Sequence, residues 1–256
     1  MRLHFRFFRG QAPASKSDSE LDHLMIAGDG EPYRIELRRH AAARRYTLRV
    51  RETSRDIVLT IPPRGSLRQA KSFAEKNVGW IAARLKRLPG PIAFVDGATI
   101  PLRGEPHKIV HRGNARGTVW IEADENGLLL CVAGNEQHIA RRLRDFLKSE
   151  AKRDLIAASR KYAALLGVTI RSVSVRDTAS RWGSCSYQGA LSYSWRLIFA
   201  PPFVLDYLAA HELAHRLELN HSKRYWKIVD SVFPERKRAE SWLRANGAQL
   251  HRYGVN

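Results

Sequence analysis

Residues 203–217 constrain this chain more than any other stretch. They follow Pro201-Pro202, are mostly apolar, and contain His211-Glu212-Leu213-Ala214-His215. Proline suits the first turn of a helix, where a missing N–H costs nothing, so a helix is expected over about 203–217. On it, positions i and i+4 lie on one face a turn apart. Two imidazoles there can hold one metal ion with Glu212 beside it, the H-E-x-x-H arrangement of zinc hydrolases. The bland alternative is two histidines a turn apart with no metal. Leu208 shares their stripe, which makes it the buried side, and burying two imidazoles and a carboxylate without an organising ion is costly. The metal reading is preferred.

A catalytic zinc takes three protein ligands and leaves one position open for water. His221 supplies the third if the helix ends near Leu217 and the chain turns back, with Asn220 tolerating an unusual backbone conformation. Glu218, Glu235 and Glu240 compete with it. Metzincins share this histidine spacing, but they need a glycine where Glu218 stands and a later methionine turn, and the last methionine here is Met25. Glu212 is then the residue that activates the water at the zinc, while Arg181 and Tyr225 are candidates for binding substrate and its developing oxyanion.

Arg181-Trp182-Gly183-Ser184-Cys185, followed by Trp195-Arg196-Leu197, Tyr207, residues 211–215 and Asn220-His221-Ser222 with Tyr225-Trp226, resembles the YgjP-like metallopeptidase family, which is related to the SprT-like zincins. The likeness is strongest over 175–232 and leaves residues 1–30 outside. It implies a zinc peptidase acting on a peptide or protein, with His211, His215 and His221 as ligands and Glu212 as catalytic acid and base. Tyr225 departs from the phenylalanine expected before the tryptophan. Trp182, Gly183 and Cys185 are read as structural, since zinc hydrolases need no thiol and a lone cysteine is usually a small buried apolar residue.

The remaining chain reads as α+β. Residues 1–30 are expected to be a mobile tail, 31–134 a β-rich lobe and 135–256 a minimal zincin-like lobe. Alternation predicts strands around 33–37, 46–50 and 57–61. Ser66 caps a helix over 66–88, stopped by Pro89-Gly90-Pro91, and the glycine-punctuated stretch 93–132 reads as a meander of strands. A long helix spans about 135–166 with Gly167 as its cap. Strands are expected over 169–175 and 191–199, the second offering a place for an extended peptide to add. Ser222 caps a helix carrying Trp226 and Val229, and Pro234 opens a last helix ending near Asn246-Gly247.

Charge bears on partners. With 44 Lys and Arg against 25 Asp and Glu, the formal charge is +19, which favours nucleic acid or nucleotides as nonspecific partners. Two alternatives to the peptidase therefore stand: a zinc-dependent nucleoside triphosphate hydrolase, and a nucleic-acid-binding module with structural zinc. Cys131 and Cys185 cannot build a disulfide framework, which fits a reducing, cytoplasmic setting. Arg6 and Arg9 interrupt the apolar start, so no signal peptide is read there, and no apolar run is long enough to span a membrane.

Overall fold

The computed structural model describes residues 23–28, 30–51, 55–88, 90–178 and 181–254. It divides into two compact units, 1–90 and 91–256. The first holds a four-stranded sheet in the order β1-β2-β4-β3, built from β1 (His23–Ile26), β2 (Tyr33–Arg39), β3 (Thr47–Val50) and β4 (Ile57–Ile61). Helices α1 (Leu67–Lys76) and α2 (Val78–Arg87) cover one face. Ile35, Ile57, Leu59 and Ile61 pack there against Ala70, Ala74 and Ile81, as period-2 and helical spacings require. Two expectations change. The tail does not run to residue 30, because His23–Ile26 pairs antiparallel with β2; residues 1–22 lie outside the described residues. The helix expected over 66–88 is two helices, broken at Asn77, whose side-chain amide donates to the Phe73 carbonyl at 2.7 Å. Ser66 caps the first as expected, accepting from the Gln69 N–H.

The described residues of the second unit form a four-stranded sheet, a three-stranded sheet and four α-helices. Strands β5 (Thr99–Leu102), β6 (Glu105–Arg112), β7 (Val119–Asp124) and β8 (Gly127–Ala133) are ordered β5-β6-β8-β7, with β6 and β8 parallel. This is no simple meander, and it does not belong with the N-terminal strands. Leu130 and Val132 of β8 share one core with Leu143 and Leu147 of α3 (Ile139–Leu166). That shared core puts the boundary at residue 90 instead of 134. The 28 residues of α3, about 42 Å long, end at Gly167 as expected.

The β5–β6 turn locates the next helix. Arg103 and Gly104 both have positive φ (53° and 85°), as a two-residue hairpin of this hand demands. A side chain at Gly104 would meet the Pro201 backbone at 3.1 Å, so the turn sits directly against the start of α4. Arg103 ties it to α3 through Glu150 and Asp154, both at 2.7 Å.

Strands β9 (Ser172–Arg176), β10 (Gly183–Cys185) and β11 (Ala190–Ser194) form the second sheet in the order β10-β11-β9. The strand expected over 191–199 ends at Ser194 and becomes a 3-10 turn over Trp195–Phe199. The cause is Arg196, drawn inward to Asp177 at 2.7 Å and to the Tyr253 carbonyl at 2.8 Å. Helix α4 (Pro202–Ala214) then carries the H-E-x-x-H stretch, followed by α5 (Lys223–Val232) and α6 (Arg236–Leu250). The last helix runs through Gly247 to Leu250, past the expected end, and the Trp182 ring rests against Gly247. Among the described residues no helix is long and apolar enough to cross a membrane.

Trp182 also packs against His251, ring centroids 4.9 Å apart and planes tilted by 38°. Burial, aided by the Arg196 charge, lowers the His251 pKa to about 4. A histidine held neutral in the fold but free to protonate when unfolded contributes stability that is whole above pH ~6.5 and lost as pH falls toward 4. The expected loss from this residue is about 3 kcal/mol over that window. Urea unfolding at pH 7.5, 6 and 5 should show a shallower decline for His251→Phe than for the wild type, and equal slopes would refute the assignment.

Candidate metal centre

Helix α4 is buried along almost its whole length, from Val204 to Ala214. His211 is fully buried and Glu212 is 3% exposed. The helix stops at Ala214, and Leu217 and Glu218 both donate backbone N–H bonds to its carbonyl. The chain then returns with no positive φ at Asn220. Among described non-glycine residues only Arg55 and Arg103 have positive φ, and a tight turn with Ser222 N–H on the Asn220 carbonyl at 2.8 Å does the work instead. Ser222 caps α5 through the Tyr225 N–H. The turn brings His221 onto the pair, and one ring nitrogen from each of His211, His215 and His221 lies within 4.8 Å of the others.

These residues fit a metal ion. The His211 and His221 Nε2 atoms are 3.2 Å apart, close to the edge of about 3.3 Å that two nitrogens make around a tetrahedral ion at 2.0–2.1 Å. Two of the opposite ring nitrogens have partners: His215 Nδ1 lies 3.2 Å from the Glu218 carbonyl, and His211 Nδ1 lies 3.3 Å from the Tyr207 hydroxyl. Burial lowers all three pKa values, that of His215 to about 4, so the imidazoles are neutral, the form that binds metals. Burial raises the Glu212 carboxyl to about 8, with the Arg181 charge opposing. A cation at the three imidazoles would return it to carboxylate.

The competing carboxylates are elsewhere. Glu218 turns its side chain toward Arg224, Glu235 bonds Arg238, and Glu240 bonds Tyr207 and Arg236. Among the described residues no fourth His, Cys, Asp or Glu joins the cluster.

The sequence profile described as YgjP-like, metallopeptidase domain matches residues 44–246. The chain belongs to the YgjP-like family. A solved structure similar to it is the metallopeptidase zymogen abylysin of Pyrococcus abyssi, 24% identical over 40% of this chain and 99% of that one, with a TM-score of 0.34. At that overlap the likeness says nothing about the site. No curated protein matches the sequence.

Within this YgjP-like domain, Gly183 of the Arg181–Cys185 segment lies against Glu212. A side chain at Gly183 would meet the Glu212 Oε1 at 2.5 Å and its Cγ at 2.8 Å, so β10 lies directly on the carboxylate. Because Glu212 is enclosed, it cannot swing away cheaply. In a metallopeptidase that uses this carboxylate, Gly183→Ala is therefore expected to cut turnover by about 100-fold, the effect of roughly 1 Å of misplacement, with metal binding at the three histidines kept; unchanged kcat would show that the contact relaxes. Strand β11 is paired on both sides, so the peptide-accepting edge foreseen over 191–199 does not exist, and β10 and β9 are the two outer strands.

Arg181 is exposed and acts on Glu212 through its charge. Tyr225 is fully buried; its hydroxyl donates to the His211 carbonyl at 2.8 Å and its ring stacks on His215 at 4.6 Å. That hydroxyl is already committed to a backbone carbonyl, and through these two contacts Tyr225 touches two of the three histidines. Cys185 has its thiol pKa raised to about 11 by burial and by Glu212, and a thiol kept protonated is no nucleophile. Sequence reasoning missed the roles of Gly183, Tyr207 and Glu240. Tyr207 carried a signal, four residues before His211 and so on the same face.

Proposed function

We propose that this YgjP-like domain is a zinc-dependent peptidase with His211, His215 and His221 as zinc ligands and Glu212 as general base and acid. The observation that carries the reading is the meeting of three neutral imidazoles beside a buried glutamate. Zinc held there supplies a Lewis acid that polarises a carbonyl and makes water acidic near neutral pH. Glu212 takes the proton of the attacking water and returns it to the departing amine. Arg181, exposed and close enough for its charge to act on Glu212, is the positive group for substrate in this reading. An extended peptide can add along the outer edge of β10, its backbone pairing with the strand and its scissile bond beside Glu212. The lack of a fourth ligand among the described residues favours a catalytic over a structural ion. Two unpaired cysteines fit the cytoplasmic setting expected from sequence. The test offers the zinc-loaded protein a peptide library beside a panel of nucleoside triphosphates. Cleavage of peptides alone is expected, and nucleotide hydrolysis alone would overturn the assignment.

The basic charge has a location as well. Residues 23–90 carry fifteen Lys and Arg against six Asp and Glu. Arg34, Arg38 and Arg49 are exposed on β2 and β3, alternating with the residues that face α1 and α2. We propose this sheet face as the nonspecific nucleic-acid contact. Binding to a random DNA duplex should weaken steeply with salt, and neutralising all three arginines should lower the log–log salt slope by roughly 0.9 per lost phosphate contact. An unchanged slope would sink the proposal.

A further inference from the structure

Tyr207 stands between His211 and Glu240. Its hydroxyl lies 3.3 Å from His211 Nδ1 and 3.1 Å from Glu240 Oε1, and its side chain is buried. A carboxylate only accepts, so the single phenolic proton goes to Glu240, and the oxygen lone pair is left to accept from His211. That assignment puts the proton of His211 on Nδ1 and leaves the Nε2 lone pair facing His215 and His221.

Glu240 is in turn fixed. Arg236 Nη1 donates to both its oxygens, at 3.1 and 3.2 Å, and the rest of the guanidinium binds Asp230 at 2.6 and 3.2 Å. The same guanidinium lies over Trp226 at 4.5 Å, and Trp226 stacks on His221 with planes 28° apart. One arginine on α6 thus braces His211 through two intervening side chains and His221 through one aromatic face. Glu240 was a rival for the third ligand in sequence; its place is one side chain further out.

We propose that Tyr207 and Glu240 form a positioning relay, anchored by Arg236, that fixes the tautomer and ring orientation of His211 and so aims its Nε2 at the metal. The relay rests on the reading that the three histidines bind zinc. Outer partners of this kind raise ligand basicity and hold ring geometry, and their loss typically costs 10–100-fold in metal affinity.

The experiment uses the full chain stripped of metal, with zinc affinity measured by competition against a chromophoric chelator. The visible spectrum of the Co2+-loaded protein and the melting temperature of the metal-free protein are read alongside. Tyr207→Phe keeps the packing and removes the hydroxyl; it should weaken zinc binding about 10–100-fold and shift the Co2+ bands, with little change in the metal-free melting temperature. Glu240→Gln should lose less, since the amide oxygen still accepts from Tyr207. The double variant should be no weaker than Tyr207→Phe, because Glu240 acts through the phenol. Tyr207→Phe within twofold of wild type, additive losses in the double variant, or a lowered melting temperature with zinc affinity intact would each overturn the relay. If the wild type binds no zinc, the metal reading fails first and the relay falls with it.

Discussion

Glu212→Gln should leave zinc affinity within a few-fold of wild type and lower turnover by about 100- to 10,000-fold, the usual contribution of a general base and acid. Gln matches the shape of Glu, so the enclosure formed by Gly183 and α4 should accept it. The amide cannot take a proton from water at any accessible pH. Burial already raises the pKa of this carboxyl, so exchanging it for a neutral group removes a desolvation cost, and the metal-free variant should melt no lower than wild type. Calorimetric melting, chelator competition and turnover, measured on one preparation, separate these effects. Turnover near the wild-type level would exclude Glu212 from the chemistry.

His221→Ala should weaken zinc binding by far more than the 10–100-fold that loss of an outer partner costs. It takes away one of the three proposed donors, and among the described residues no carboxylate joins the cluster to substitute. Glu218 contributes its backbone carbonyl to His215 and Glu235 pairs with Arg238, so Glu218→Ala and Glu235→Ala should bind like wild type. Glu240→Ala should fall between, through Tyr207. Should His221→Ala keep full affinity while one glutamate variant loses it, the ligand set is wrong even if the protein remains a metallohydrolase.

Much of the site was legible because its parts are local. Pro201-Pro202 opens α4, the His211 and His215 spacing is one helical turn, and Ser222 caps the helix that follows. The α+β class was legible from strand alternation and the long helix ending at Gly167. What escaped depends on residues far apart in sequence. The parallel pairing of β6 with β8 leaves no local trace, and neither does the shared core that moves the unit boundary to residue 90. The strand reading over 191–199 failed at Arg196, whose partners Asp177 and Tyr253 lie 19 and 57 residues away. The four-residue β1 is too short for its alternation to stand out. Gly183 reads only as a structural residue until Glu212 is seen against it, and Glu240 reads as a rival ligand until Tyr207 is seen between.

The claim that a metal at these three histidines performs peptide hydrolysis is tested most directly by reconstitution. Protein stripped of metal is titrated with zinc while cleavage of a peptide found in the library screen is followed. Activity should be absent at the start, rise linearly and level off at one zinc per chain, with Glu212→Gln binding the same single equivalent and remaining inactive. Full activity in the stripped protein, or saturation of binding with no cleavage in the wild type, would contradict it.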